Sequence, residues 1–241
     1  MKLILDLEAD GFEPKVIHCI VCKDISTNEV YRFNPDNLEQ GLQLIKKATL
    51  LIGHSVLGFD IPALAKVFGK KFEYEGAILD TLLCSRLIWT NRADLDFKYK
   101  QLPPKLYGKH SIEAWGFRLG LRKGNFKEEN TFDVWSQDMT DYCKRDVEVT
   151  YLLYKLIEAE NYSKDAIKLE HQFAYWITKL EQGGVDFDES SAQNLHSILV
   201  KRRLDLEEKL SLVFPAWQKS LGFKTYKRDN KKRGIKAGVP V

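Results

Sequence analysis

The sequence predicts an α/β fold, and three observations carry that prediction. Apolar runs of strand length open the chain, at Lys2–Glu8, Val16–Cys22 and Glu29–Phe33, joined by short polar stretches. From Asn37 onward, segments with a helical apolar stripe alternate with short continuous apolar runs such as Thr49–Gly53. With 241 residues, 44% hydrophobic and 29% charged, the chain is long enough for one large domain and too apolar to be disordered.

The elements follow in order. Lys2–Glu8 reads as a strand broken by two carboxylates, just before the turn-like Ala9-Asp10-Gly11. The next two runs, separated by polar Lys23–Asn28, extend it into an antiparallel meander. Leu38, Leu42 and Ile45 form a helical stripe after Asn34-Pro35-Asp36, and Thr49–Gly53 reads as a buried central strand. Asp60 then opens a helix with Pro62 in its first turn, where proline is tolerated. Its bland role there is that of an N-cap. Ile78–Leu83 leads into a helix through Trp89, with Asp80 as its cap. A basic, proline-broken loop over Asn91–Lys109, which holds Pro103-Pro104 and Lys105, is placed at the mouth of a site where it can touch a phosphate backbone. Helices are predicted over Ser111–Leu119 and Asp138–Ala159. A helical extension follows over Lys164–Gln182, closed by Gly183-Gly184, and over Asp188–Leu212.

Charge and cysteine content narrow the function classes. No stretch reaches eighteen consecutive apolar residues and the N-terminus lacks a signal-peptide pattern, so a cytoplasmic protein is expected. Cys19 and Cys22 have a C-x-x-C spacing but lie in a strand-like run, with no second pair to complete a zinc site. The net charge of +3 hides an asymmetry: Lys219–Lys236 holds eight basic residues against Asp229, a local +7, which leaves −4 for the rest. With Phe223 and Tyr226 interleaved, this tail, including Lys227 and Arg228, is expected to contact nucleic acid.

The chemistry rests on carboxylates. In a strand, Asp6 and Glu8 point to the same side, and two like charges held there repel unless a cation sits between them. Asp60 adds an acid at a strand-to-helix junction. Tyr142 and Asp146, four apart, share one face of a helix, and Val149, Leu153 and Leu156 are expected to carry roughly that face into the core. An unpaired acid near buried ground is costly, so Asp146 calls for a metal or a cation.

Asp6-x-Glu8, Phe59-Asp60 and Tyr142-x-x-x-Asp146, in this order, resemble the three-motif signature of the DEDD 3′-5′ exonucleases of the tyrosine subclass. The flanking Asp80–Ile88 and His110–Gly120 resemble more narrowly the proofreading domain of phage family A replicative DNA polymerases. The resemblance covers about residues 1–157 and implies a ribonuclease-H-like fold, a mixed five-stranded sheet flanked by helices. It implies two divalent ions, Mg2+ or Mn2+, held by Asp6, Glu8, Asp60 and Asp146. Asp6 would bridge both, Glu8 and Asp146 would complete the water-activating side, Asp60 would serve the leaving group, and Tyr142 would orient the water. Leu7, Ser55 and Phe59 would meet the substrate, with Ser55 standing where the family usually has asparagine.

The domains are therefore expected at 1–160, the exonuclease, and 161–241, a helical extension and basic tail. Glu181–Asp188 resembles the entry to a family A polymerase domain, but no palm or fingers sequence follows. The expectation is a fragment, or a separate subunit, of a phage polymerase that removes nucleotides from single-stranded or frayed DNA 3′ ends. A non-catalytic nucleic-acid-binding or polymerase-docking module, and an RNA-trimming exoribonuclease, are the alternatives.

Overall fold

The central strand, β1 (Lys2–Ala9), owes its position to having both edges paired and both faces covered. In this computed structural model, which describes residues 1–121 and 132–214, five strands form one mixed sheet. β1 pairs antiparallel with β2 (Ile17–Asp24), which pairs antiparallel with β3 (Val30–Phe33). On its other edge β1 runs parallel to β4 (Leu50–Gly53), and β4 to β5 (Ala77–Asp80). The order β3-β2-β1-β4-β5, flanked by helices, is a mixed five-stranded sheet of the ribonuclease-H-like kind that the family resemblance implies.

The strand alternation divides the core in two. Leu3, Leu5 and Leu7 join a cluster with Leu42, Ile45, Ala63 and Leu64, from helices α1 (Leu38–Lys46) and α2 (Asp60–Phe68). Ile4 faces the other way, with Val21, Ile52, Met139 and Val147, against α6 (Gln137–Ala159). Between these come α3 (Thr81–Ile88), α4 (Arg92–Tyr99) and α5 (Ile112–Arg118), the last capped by the Ser111 side chain. Trp115, Ile112 and Cys84 make a third cluster with Val149, Leu153 and Ile157 of α6.

Three expectations need correction. Asn91–Lys109 is not simply a loop, because α4 occupies its first half and Pro104–Leu106 forms a single 3-10 turn. Asp60 is not an N-cap: Phe59 takes that position, with no side-chain cap bond. Leu156 is 39% exposed, and the buried stripe of α6 continues instead through Ile157 at the Trp115 cluster.

By its contacts the chain falls into two compact units, Met1–Gly184 and one beginning at Val185. The first includes α7 (Lys164–Gly183), which stops where Gly184 takes a left-handed φ of 68°. The second contains α8 (Glu189–Val213), capped by the Asp188 side chain on the Ser191 amide. Leu169, Phe173 and Trp176 of α7, and Leu195, Ile198 and Leu199 of α8, are exposed. Among the described residues, no helix is long and apolar enough to cross a membrane.

Candidate active site

Asp6 and Glu8 lie half-buried on the α6 side of β1, alternating with Leu5 and Leu7, whose side chains are in the opposite core. The register of β1 against β2 shifts between Glu8 and Ala9, so regular pairing ends just past the second acid. One ligand atom each from Asp6, Glu8 and Cys143 lies within 4.8 Å of the others. Cys143 is fully buried, and burial pushes its thiol well up, so it is a neutral neighbour.

Beyond these, a cleft of about 1580 Å³ is lined by Asp6, Glu8, Asp60, Tyr142 and Asp146 together. Three elements thus bring four carboxylates and one phenol to a single hollow: the end of β1, the start of α2 and the first half of α6. Tyr142 is buried, and its hydroxyl is pushed up by burial first and then by the charges of Asp146, Glu8 and Asp6. It stays protonated at any physiological pH.

Asp60 is 3% exposed, and its Oδ1 has no hydrogen-bond partner among the described residues. Burial, and then the neighbouring charge of Asp80, push its carboxyl up to about 7, with the Leu7 amide partly opposing them. A buried, incompletely hydrogen-bonded carboxylate in the lining of an acidic hollow fits a hard cation, and the all-oxygen set of carboxylate donors suits Mg2+ or Mn2+.

The turn that carries Asp60 is held from below. Asp80, expected as a helix cap, accepts from the amides of Leu82 and Leu83 at the start of α3. It also accepts from Ser55 (3.0 Å) and Leu57 (3.2 Å) in the turn between β4 and α2. Its own amide donates to His171 Nε2 of α7 at 2.7 Å. That bond places the ring proton on Nδ1, which donates to the Ile167 carbonyl at 2.7 Å. Sequence reasoning found the cap and missed the turn, because the bonds from Ser55 and Leu57 join residues more than twenty positions away.

The remaining expected residues fall as follows. The cleft lining includes Leu7, Ser55, Phe59 and Lys105, although the Leu7 side chain itself is buried in the core. Ser55 has a left-handed φ of 68°. Lys227 and Arg228 lie outside the described residues. The lining also includes Arg86, Lys109, His110 and Phe117, none of which the acid motifs single out. His54 and His110 hydrogen-bond Thr81 Oγ1 and Ser85 Oγ, each at 3.0 Å. Burial, followed by the charges of Arg118, Arg86 and Arg92, pushes His110 down to about 4, so its ring is neutral at pH 7.

No family model matches the chain. Among curated proteins it is similar to the DNA-directed DNA polymerase of Escherichia phage T7, at 30% identity over 268 residues, covering 91% of this chain and 38% of that protein. The corresponding polymerase of Enterobacteria phage T3 matches with the same identity and coverage. Among solved structures, Escherichia coli RNase D aligns with a TM-score of 0.47 at 14% identity, over 74% of this chain and 45% of that one. The catalytic core of RRP6 from Trypanosoma brucei aligns at 0.48 and 10%, over 73% and 45%. The chain spans 38% of the length of the phage T7 and T3 DNA polymerases, to which it is similar at 30% identity over 91% of its own length.

Proposed function

We propose that this chain is a metal-dependent 3′→5′ exonuclease that removes nucleotides from single-stranded or frayed DNA ends, as the proofreading part of a phage DNA polymerase. The observation that carries the reading is the meeting of Asp6, Glu8, Asp60, Tyr142 and Asp146 in one cleft, in the order and types of the exonuclease motifs. Similarity to phage DNA polymerases supports DNA as the substrate, a polymerase domain or subunit as the partner, and the host cytoplasm as the place of work.

Asp6, Glu8, Asp60 and Asp146 would hold two divalent ions. Such ions supply a nucleophilic water at neutral pH and charge neutralisation for an in-line phosphodiester displacement. Tyr142, kept protonated, donates its hydroxyl hydrogen bond to orient the attacking water and does not act as a base. Ser55 and Phe59, beside Asp60, flank the terminal nucleotide, and Lys105 meets a phosphate. The cleft volume exceeds the roughly 300–1,000 Å³ of a small-ligand pocket, which suits several nucleotides of a single strand.

The test is hydrolysis of a 3′-labelled oligonucleotide with Mg2+, comparing wild type with Asp6→Ala. A loss of at least about a thousandfold is expected. Equal rates overturn the mechanism, and faster cleavage of a matched RNA strand overturns the choice of DNA.

A further inference from the structure

The cationic side of the cleft is built from a segment with almost no regular structure of its own. Lys105, Gly108, Lys109 and His110 line the cleft, yet the backbone around them makes only one 3-10 turn, at Pro104–Leu106. Two buried charges outside the lining hold it. Asp96 of α4 is 1% exposed, and Arg118 at the end of α5 pairs with it through Nε at 3.0 Å and Nη2 at 2.6 Å. The pair then reaches the segment at two consecutive backbone positions. Asp96 Oδ2 accepts the Gly108 amide at 3.0 Å, and Arg118 Nη2 donates to the Lys109 carbonyl at 2.7 Å.

The clamp is tightly seated. Arg92 Nε donates to Asp96 Oδ1 at 3.2 Å, and the guanidinium groups of Arg92 and Arg118 lie over the Trp115 ring, at 5.3 and 4.8 Å from its centre. Gly108 has a φ of +71°, and a Cβ there would meet Ala93 Cβ at 3.1 Å, so the chain passes where only glycine fits without strain. A buried ion pair is not needed for a core of this size and a hydrophobic replacement is often no less stable, so a positional role is the more economical account.

We propose that Asp96 and Arg118 are positioning residues for nucleic-acid binding, holding Lys105 and Lys109 where they receive phosphates upstream of the 3′ end. This rests on the exonuclease reading. The acids of the cleft repel a polyanion, so a strand entering it needs fixed cations beyond the terminal nucleotide. Neither Asp96 nor Arg118 touches the reacting atoms.

The experiment compares two substrates on the full chain with Mg2+: a ten-nucleotide single strand, and the p-nitrophenyl ester of thymidine 5′-monophosphate, which fills only the terminal position. Asp96→Asn loses one carboxylate oxygen and the two-pronged pairing with Arg118. It is expected to raise KM for the oligonucleotide about tenfold and to flatten the dependence of log KM on log salt by about one. The oligonucleotide kcat and the ester kinetics should stay within about twofold, and Arg118→Lys should show a milder form of the same split. A parallel loss on both substrates, or none, overturns the proposal. If Asp96→Asn fails to fold, the surface double variant Lys105→Ala/Lys109→Ala replaces it, and an unchanged oligonucleotide KM there is equally fatal. A wild type that cuts neither substrate defeats the exonuclease reading alone. Oligonucleotide affinity of the variants, read by fluorescence anisotropy, still decides the clamp without hydrolysis.

Discussion

The carboxylate of Asp80 holds the amide of Ser55 at 3.0 Å, in a residue whose φ is +68°. Left-handed backbone at a non-glycine residue costs about 1 kcal/mol or more and persists only where the surroundings enforce it. Here the enforcing group also takes the amides of Leu57, Leu82 and Leu83, so a single side chain binds the turn before Asp60 to the start of α3. Asp80→Ala leaves these amides without their acceptor and should destabilise the protein by about 3 kcal/mol, read as a lower urea midpoint. Activity should fall further than stability, because Asp60 loses its seat. A variant with wild-type midpoint and rate would show the turn to be self-supporting.

Asp60 makes the metal-free protein sensitive to pH. Its folded carboxyl is pushed up to about 7, chiefly by burial, against about 3.9 for an unfolded aspartate, so the folded chain binds the proton more tightly. Stability from this group is therefore complete below about pH 4 and is lost as pH rises towards 7 and above. Thermal melts in a chelator should give a midpoint that Asp60 lowers between pH 5 and 8, and Asp60→Asn should remove that contribution. Saturating Mg2+ should reduce the same slope in the wild type, since a cation compensates the ionised form.

Tyr142 offers a different pH signature. Burial and three nearby carboxylates raise its hydroxyl, which excludes the tyrosinate as a base near neutral pH. Tyr142→Phe should lower kcat by about a hundredfold, within the range for a lost proton-handling or orienting group, while the shape of the pH–rate profile below pH 9 is unchanged. A profile that loses one limb in the variant would mean that the hydroxyl ionises during turnover.

The basic tail lends itself to a salt titration. Deleting the chain from Lys219 onward removes a local +7 and should weaken binding of single-stranded DNA mainly at low salt, with a shallower slope of log affinity against log salt. Identical slopes would assign the tail to a spacer or to a polymerase contact.

What the sequence disclosed, and what it concealed, follow from the range of each interaction. The acids of β1 were legible because a strand repeats every two residues, and Tyr142 with Asp146 because a helix brings i and i+4 together. The meander and the buried strand β4 followed from short apolar runs, whereas the parallel pairing of β4 with β1 is set by the helix-bearing connection between them. Helix α4 escaped notice because Arg92–Tyr99 is rich in charge and poor in apolar stripe. Its Asp96 is anchored by Arg118, twenty-two positions further on, and no local pattern announces that bond. Leu156 was misplaced for a related reason: whether a helix end is covered depends on which neighbour lies there, here the Trp115 cluster on the Ile157 side.

Because β1 presents Leu5 and Leu7 to one core and Asp6 and Glu8 to the cleft, its parity is a reading frame. One residue inserted or removed before Asp6 would exchange the two sets, driving two carboxylates into hydrocarbon and leucines into the cleft. Conservative replacements along this strand are survivable singly, whereas a change in its length is not. A molecule whose β1 has locked in the wrong frame neither packs nor holds a cation. The condition for being folded is therefore also the condition for assembling the acidic hollow, so the two cannot be lost separately through a slip of this strand.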